Sequence, residues 1–196
     1  MKIDELSIYG CYQITNVMYP DDRGNFFEWF SEGSFSKNSL DFSVAQASFS
    51  KSLKNVIRGI HYSTAETGQS KIVMCSSGLI NDVIVDLRIG SPTFLAVQNV
   101  ILSPDSGKSL YISTGVGHGF SVLSESASLT YLLSSQYLPS HEHTIQAFDE
   151  SLAINWNLSE TGKPIMSIRD ETAISLEQAI QRDLLPKYKV KVKNNK

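Results

Sequence analysis

Cysteine is nearly missing from this chain of 196 residues: Cys11 and Cys75 stand alone, and neither belongs to a Cys-x-x-Cys pair. Redox and zinc-ribbon chemistry therefore have no support, and both side chains are expected to be small apolar residues of the interior. Long hydrophobic runs are absent too, with nothing approaching the roughly 20 residues that span a bilayer. Met1-Lys2-Ile3-Asp4-Glu5 lacks the basic-then-apolar order of a secretory leader. A cytoplasmic protein that does not enter membranes is expected, and the sequon Asn157-Leu158-Ser159 carries no weight in that setting. Positive charge is not in excess either. The net charge is -3, which argues against nucleic acid as a partner. Lys187, Lys189, Lys191, Lys193 and Lys196 form the one basic concentration. Residues 189–196 read as a solvated, disordered tail.

What the chain has in quantity is short apolar runs broken by Gly, Ser and Pro. Ile72-Val73-Met74-Cys75 ends at Ser76-Ser77-Gly78. Leu79 to Leu87 alternates, with Ile80, Asp82, Ile84 and Asp86 on one face and Asn81, Val83, Val85 and Leu87 on the other. Phe94 to Leu102, Ser109 to Ile112, Phe120 to Leu123 and Leu129 to Leu133 continue the series. Such spacing predicts an all-β sandwich or barrel of antiparallel strands. The best helix candidate is Ile174 to Leu185, with Ile174, Leu176, Ile180 and Leu184 at helical spacing and Pro186 closing it. Residues 1–188 read as a single β-rich domain with a short helical C-terminal end.

Four histidines are present: His61, His118, His141 and His143. A metal site on a β-barrel usually needs a His-x-His pair among converging ligands. The segment at His61 reads His-Tyr-Ser, and the one His-x-His, His141-Glu142-His143, follows Leu138-Pro139-Ser140 in a loop or strand edge. A metal site is therefore not expected. His118 lies in Gly115-Val116-Gly117-His118-Gly119-Phe120, where glycines allow close backbone approach. Arg23 and Arg58 each precede a glycine, and the planar guanidinium fork suits two phosphate oxygens.

Together these stretches resemble the dTDP-4-dehydrorhamnose 3,5-epimerase family. The likeness runs from about Gly10 to Asp170, through Asp22-Arg23-Gly24, Phe27-Glu28, Arg58-Gly59-Ile60-His61-Tyr62 and Gln69-Ser70-Lys71. It continues through Asp82 to Arg88, Gly90 to Phe94, Gly115 to Phe120, Tyr131, Tyr137, Pro139, Glu142, Ile154-Asn155-Trp156 and Ser167-Ile168-Arg169-Asp170. The resemblance implies a cupin-like antiparallel jelly roll that forms a homodimer by exchanging N-terminal strands. It implies action at C3, C5 or both of a dTDP-linked 4-keto-6-deoxy sugar, with no cofactor. His61 would be the base, oriented by Asp170; Lys71 would stabilise the enolate, and Tyr131 would return a proton from the other face. Arg23, Glu28, Gln46, Arg58, Tyr137 and Glu142 would hold the nucleotide, some from the neighbouring subunit, and His118 would line the sugar site.

These residue types suit the chemistry. An imidazole with an unperturbed pKa of about 6.5 is mostly neutral near pH 7. A cation near the carbonyl oxygen favours the enolate over the neutral ketone. Three departures from the family pattern stand out: Thr130-Tyr131-Leu132-Leu133-Ser134-Ser135 for Leu-Tyr-Lys-Thr-Thr, Ala47-Ser48-Phe49-Ser50 after Gln46, and Ile112-Ser113-Thr114-Gly115. Leu132 in place of lysine and Ser48 in place of asparagine are expected to reshape the sugar pocket, as in enzymes that invert one carbon only. A 3,4-ketoisomerase of the same fold, a metal-dependent oxygenase and a non-catalytic binding module are the competing readings. Retention of Lys71 and Tyr131 argues against the last.

Overall fold

A strand buried on both faces needs apolar residues at consecutive positions, sorted by parity onto two different cores. Ile80–Asp86 carries such a run in Val83-Ile84-Val85 and is buried throughout, its polar residues Asn81, Asp82 and Asp86 included. The computed structural model describes residues 1–65, 68–159 and 162–189. Its strands are β1 (Lys2–Glu5), β2 (Tyr12–Thr15), β3 (Tyr19–Asp21), β4 (Gly24–Phe26), β5 (Gln46–Leu53) and β6 (Ile57–Ser63). They continue with β7 (Lys71–Ser77), β8 (Ile80–Asp86), β9 (Val97–Leu102), β10 (Lys108–Ile112), β11 (Val116–Val122), β12 (Ser126–Leu133) and β13 (Glu142–Thr144). One sheet runs β1-β2-β10-β7-β12-β5 and the other β13-β6-β11-β8-β9, while β3 and β4 pair as a separate hairpin. Neighbours within both sheets are antiparallel. From β5 onward the chain passes from one sheet to the other at nearly every strand, which is the winding of a jelly roll. The expected cupin-like all-β architecture is the one observed.

Ile80 and Ile84 enter the core between the sheets, beside Val73, Leu110, Val116, Phe120 and Leu129. Val83, Val85 and Leu87 enter a second core, against Ile57, Tyr62, Trp156, Leu176 and Ala179 of β6 and the C-terminal segment. The parity read from the sequence therefore assigns both faces. Cys11 and Cys75 are fully buried free thiols, and burial pushes each up to about 11. Among the described residues no helix is long and apolar enough to cross a membrane.

Three α-helices are present among the described residues: α1 (Glu32–Lys37), α2 (Ile168–Glu171) and α3 (Leu176–Gln181). The last is shorter than the expected Ile174–Leu185. Ile174 is extended, bridged to Ile145, and Ser175 starts the helix with a capping box to Gln178. Asp183, at φ 51, breaks it well before Pro186. Its buried face is Leu176 and Ala179, whereas Ile180 is exposed. Phe94 and Leu95 belong to a turn ahead of β9, with Leu95 at φ 66. Of the expected disordered tail, Lys189 is exposed and 190–196 lie outside the described residues.

Asp86, with no exposure, ties the two chain ends to the barrel. It accepts from Arg88 Nε at 2.7 Å and Nη2 at 2.8 Å, and from the Ser91 and Thr93 hydroxyls. Arg88 Nη2 also donates to the Tyr9 carbonyl at 2.8 Å, and its guanidinium lies over the Tyr188 ring. Burial alone would raise the Asp86 carboxyl, but the bonds from Arg88, Ser91 and Thr93 hold it below its ordinary value. The resulting stability is complete above the unfolded aspartate pKa of about 3.9 and is lost as pH falls through the lower folded value. Arg88→Ala leaves Asp86 charged and unpaired in the interior, which is expected to cost about 3–5 kcal/mol. Urea denaturation at pH 7 checks this, and the loss should shrink when the titration is repeated near pH 3.

Candidate active site

Residues 58 and 61 are three apart, so on an uninterrupted strand they would point to opposite faces. The pairing of β6 with β11 is not uninterrupted. His61 stands opposite His118 but Arg58 opposite Phe120, so three steps on β6 match two on β11. This bulge turns Arg58 and His61 into the same cavity. Gly59 occupies it with φ +121, where a Cβ would lie 2.6 Å from the Gly119 Cα and 2.7 Å from the His118 carbonyl oxygen. Any side chain there would force β6 away from β11.

The cavity, about 250 Å³, opens between the sheets. Gln46, Ser48 and Ser50 of β5, Lys71 of β7 and Tyr131 and Leu133 of β12 line one wall. Arg58, His61, His118 to Phe120 and Glu142, from β6, β11 and β13, line the other. Gln69, Tyr137 and Arg169 complete the rim.

His61 Nε2 lies 2.7 Å from Asp170 Oδ1, and Asp170 is almost wholly buried while His61 keeps 35% of its side chain exposed. The Ser167 hydroxyl caps α2 by accepting from the Asp170 backbone N–H, which fixes the carboxylate behind the ring. Burial would raise the Asp170 carboxyl, but hydrogen bonds from His61, Ser167 and the Gly59 backbone N–H keep it below the usual range. An ionised acceptor at Nε2 keeps the proton there and leaves the Nδ1 lone pair free. On the other sheet, burial pushes the Tyr131 hydroxyl up to about 12, so near neutral pH it is a proton donor. Its ring stands edge-on to His118, centroids 6.3 Å apart. His118 Nε2 meets Asp82 Oδ2 at 2.9 Å in full burial. Lys71 has no carboxylate within 4 Å among the described residues. Desolvation lowers its ammonium pKa, and the charges of Glu142 and Asp82 act the other way.

The cavity thus brings together His61, Lys71, Tyr131, Gln46, Arg58, His118, Tyr137 and Glu142, with Asp170 behind His61. Arg23 and Glu28 do not line it. Arg23 sits on the β3–β4 hairpin, 89% exposed and paired with Asp21 at 2.6 Å. The sequence did not single out Asp82, Ser50 or Arg169 as site residues. Asp82 was placed on the correct face, and Arg169 adjoins Asp170. Arg169 donates to Thr144, the Glu142 carbonyl and the Tyr137 hydroxyl. Leu132, expected to reshape the pocket, points away from it. Strand alternation carries it to the far face of its sheet, against the cluster of Ile14, Phe35, Phe42 and Ile72. Ser48 does line the cavity. His141 faces Ser140, while His143 faces Thr64 and stacks on Tyr62.

A family model described as dTDP-4-dehydrorhamnose 3,5-epimerase matches residues 5–178. The chain is 40% identical over 191 residues to a protein of that name from Mycobacterium tuberculosis, covering 96% of this chain and 94% of the relative. Among solved structures it resembles NovW, a 4-keto-6-deoxy sugar epimerase from the novobiocin biosynthetic gene cluster of Streptomyces spheroides. There the TM-score is 0.91 and the identity 40%, over 96% of this chain and 94% of that one. It also resembles ChmJ, a 3'-monoepimerase from Streptomyces bikiniensis solved in complex with dTDP-quinovose. The TM-score is 0.88 and the identity 39%, over 93% and 92% of the two chains.

The His61–Asp170 geometry makes a prediction independent of any ligand. Nitrogen-15 spectra of neutral His61 should show the Nε2–H tautomer, and Asp170→Ala should shift the ring towards a mixture of the two. An unchanged tautomer in that variant would mean that Asp170 does not fix the ring.

Proposed function

The chain belongs to the dTDP-4-dehydrorhamnose 3,5-epimerase family, and we propose on that basis that its cavity inverts C3, C5 or both of a dTDP-linked 4-keto-6-deoxy sugar. The observation that carries the mechanism is the placement of base and acid on opposite sheets of one cavity: His61 with Asp170 on one side, Tyr131 on the other. His61 Nδ1 takes the proton from the carbon beside the ketone, and Asp170 stabilises the imidazolium that forms. The electron pair of the broken C–H bond moves into the ring, and the charge settles on the carbonyl oxygen. The Lys71 ammonium opposes that charge, so it favours the enolate more than the ketone. Tyr131 then delivers its proton to the opposite face. For each carbon inverted one hydrogen is replaced; the imidazolium then gives up its proton to solvent and the phenolate takes one up, so no oxidant or reductant enters.

A homodimer completes this reading. The cavity is smaller than the roughly 300–1,000 Å³ of ordinary ligand sites, so a nucleoside diphosphate must extend beyond it. The β3–β4 hairpin exposes Tyr19 at 60% and Phe26 at 71%, and a lone two-stranded hairpin is marginal in water. The outer face of the edge strand β5 exposes Phe49 and Leu53. Docking the hairpin on a second copy covers these apolar surfaces and carries Arg23 and Glu28 towards the neighbour's nucleotide.

Incubation of the dTDP-4-keto-6-deoxyglucose substrate with the enzyme in D₂O should place deuterium at C3, C5 or both, and the ratio gives the regiochemistry. His61→Asn should abolish incorporation, and Tyr131→Phe should slow inversion more than exchange. Absence of incorporation with the intact enzyme would overturn the reading, whereas a ketone moved to C3 would make it a ketoisomerase. Arg23→Ala and His61→Ala chains, each weak alone, should on mixing recover about a quarter of wild-type activity. Half the dimers then pair one of each and carry one intact site. No recovery would place Arg23 and His61 of one chain in the same site.

A further inference from the structure

Gln46, Ser48, Ser50 and Ser52 share one face of β5, since strand residues alternate. The first three line the cavity, and the Ser52 hydroxyl accepts from Arg58 Nε at 3.0 Å. The Ser50 hydroxyl lies 3.2 Å from that of Tyr131, and neither has another hydrogen-bond partner among the described residues. The two ends of this bond are not equivalent in a reaction that uses Tyr131 as acid. A phenol can donate or accept, but the phenolate left behind can only accept. Its charge forms in a wall where burial already disfavours it. A hydroxyl donor fixed beside that oxygen therefore gains most when the proton has gone.

We propose that Ser50 is a positioning residue for proton return: its hydroxyl donates to the Tyr131 oxygen, turning the phenol proton to the sugar and holding the phenolate afterwards. This rests on the reading of Tyr131 as the acid. In the step, the Tyr131 O–H bond breaks and a C–H bond forms with the enolate electron pair. The negative charge passes from the enolate to the phenolate, where the Ser50 O–H faces it. Ser50 touches neither the abstracted hydrogen nor His61 in this scheme, so the first half of the reaction does not depend on it.

The test separates the two halves. With the dTDP-4-keto-6-deoxyglucose substrate in D₂O, Ser50→Ala should slow inversion by about 10- to 100-fold, the range of a hydrogen bond to a charged group. Exchange of deuterium into unreacted substrate should continue at the wild-type rate, which also reports a folded cavity. Ser50→Thr, which keeps the hydroxyl, should restore inversion. In protein labelled with carbon-13 tyrosine, the hydroxyl-bearing carbon of Tyr131 should shift in Ser50→Ala and return in Ser50→Thr. Equal slowing of inversion and exchange, unchanged inversion in Ser50→Ala, or failure of threonine to rescue would each overturn the proposal. A wild-type enzyme that exchanges no deuterium would instead overturn the epimerase reading beneath it.

Discussion

Where β6 runs beside β11, the backbones of Gly59 and Gly119 come so close that a Cβ on either would collide with the other strand. That approach is available only because both residues lack a side chain, and it accommodates the extra residue of the bulge. From the bulge follows the shared direction of Arg58 and His61. From the direction of His61 follows its reach to Asp170, which a short capped helix holds behind the ring. The shared direction of Arg58 and His61, and the contact of His61 with Asp170, thus depend on two glycines and a one-residue slip in register.

The cavity sits where the space between the sheets changes character. Towards β8, β9 and β10 the interior is filled by Ile, Val and Leu. Towards β5, β6 and β13 it is lined by imidazole, guanidinium, ammonium, carboxylate and hydroxyl groups. Asp82 and Glu142 each keep one buried carboxylate oxygen without a hydrogen-bond partner among the described residues. In a low-dielectric wall such oxygens exert a long reach, and both act on Lys71, partly opposing the lowering of its ammonium pKa by burial. A lysine so placed faces the cavity as an available cation instead of being consumed by a direct ion pair.

Apolar strands were legible and polar ones were not. β7 to β12 announce themselves by Ile, Val and Leu, so Ile72 to Leu133 was read nearly element by element. β5 escaped because its inward residues are Gln46, Ser48, Ser50 and Ser52, a pattern that looks like surface until the cavity is known. β13 is three residues long, and Glu142 and His143, read as part of a loop or strand edge, lie on it at the edge of its sheet. The same inversion hid Ser50 as a site residue, whereas Ser48 stood out only by its departure from the family pattern. At Leu132 the opposite error arose: adjacency to Tyr131 suggested a shared pocket, but strand alternation puts neighbours on opposite faces.

By itself the sequence determined the all-β class, the two-sided burial of β8 and the family, and it singled out the imidazole, lysine, tyrosine and aspartate that the fold gathers at one cavity. These follow from residue type, parity and motif order, which are local properties of the chain. The tertiary structure alone decided that His61 and Tyr131 face each other from different sheets, and that Asp170, 109 residues on, stands behind the histidine. It also decided that Arg23 and Glu28 lie off the cavity of their own chain. Those outcomes depend on register, on a bulge and on which strands oppose one another across the barrel. No window of the sequence contains them, because each is set by pairing between segments far apart along the chain.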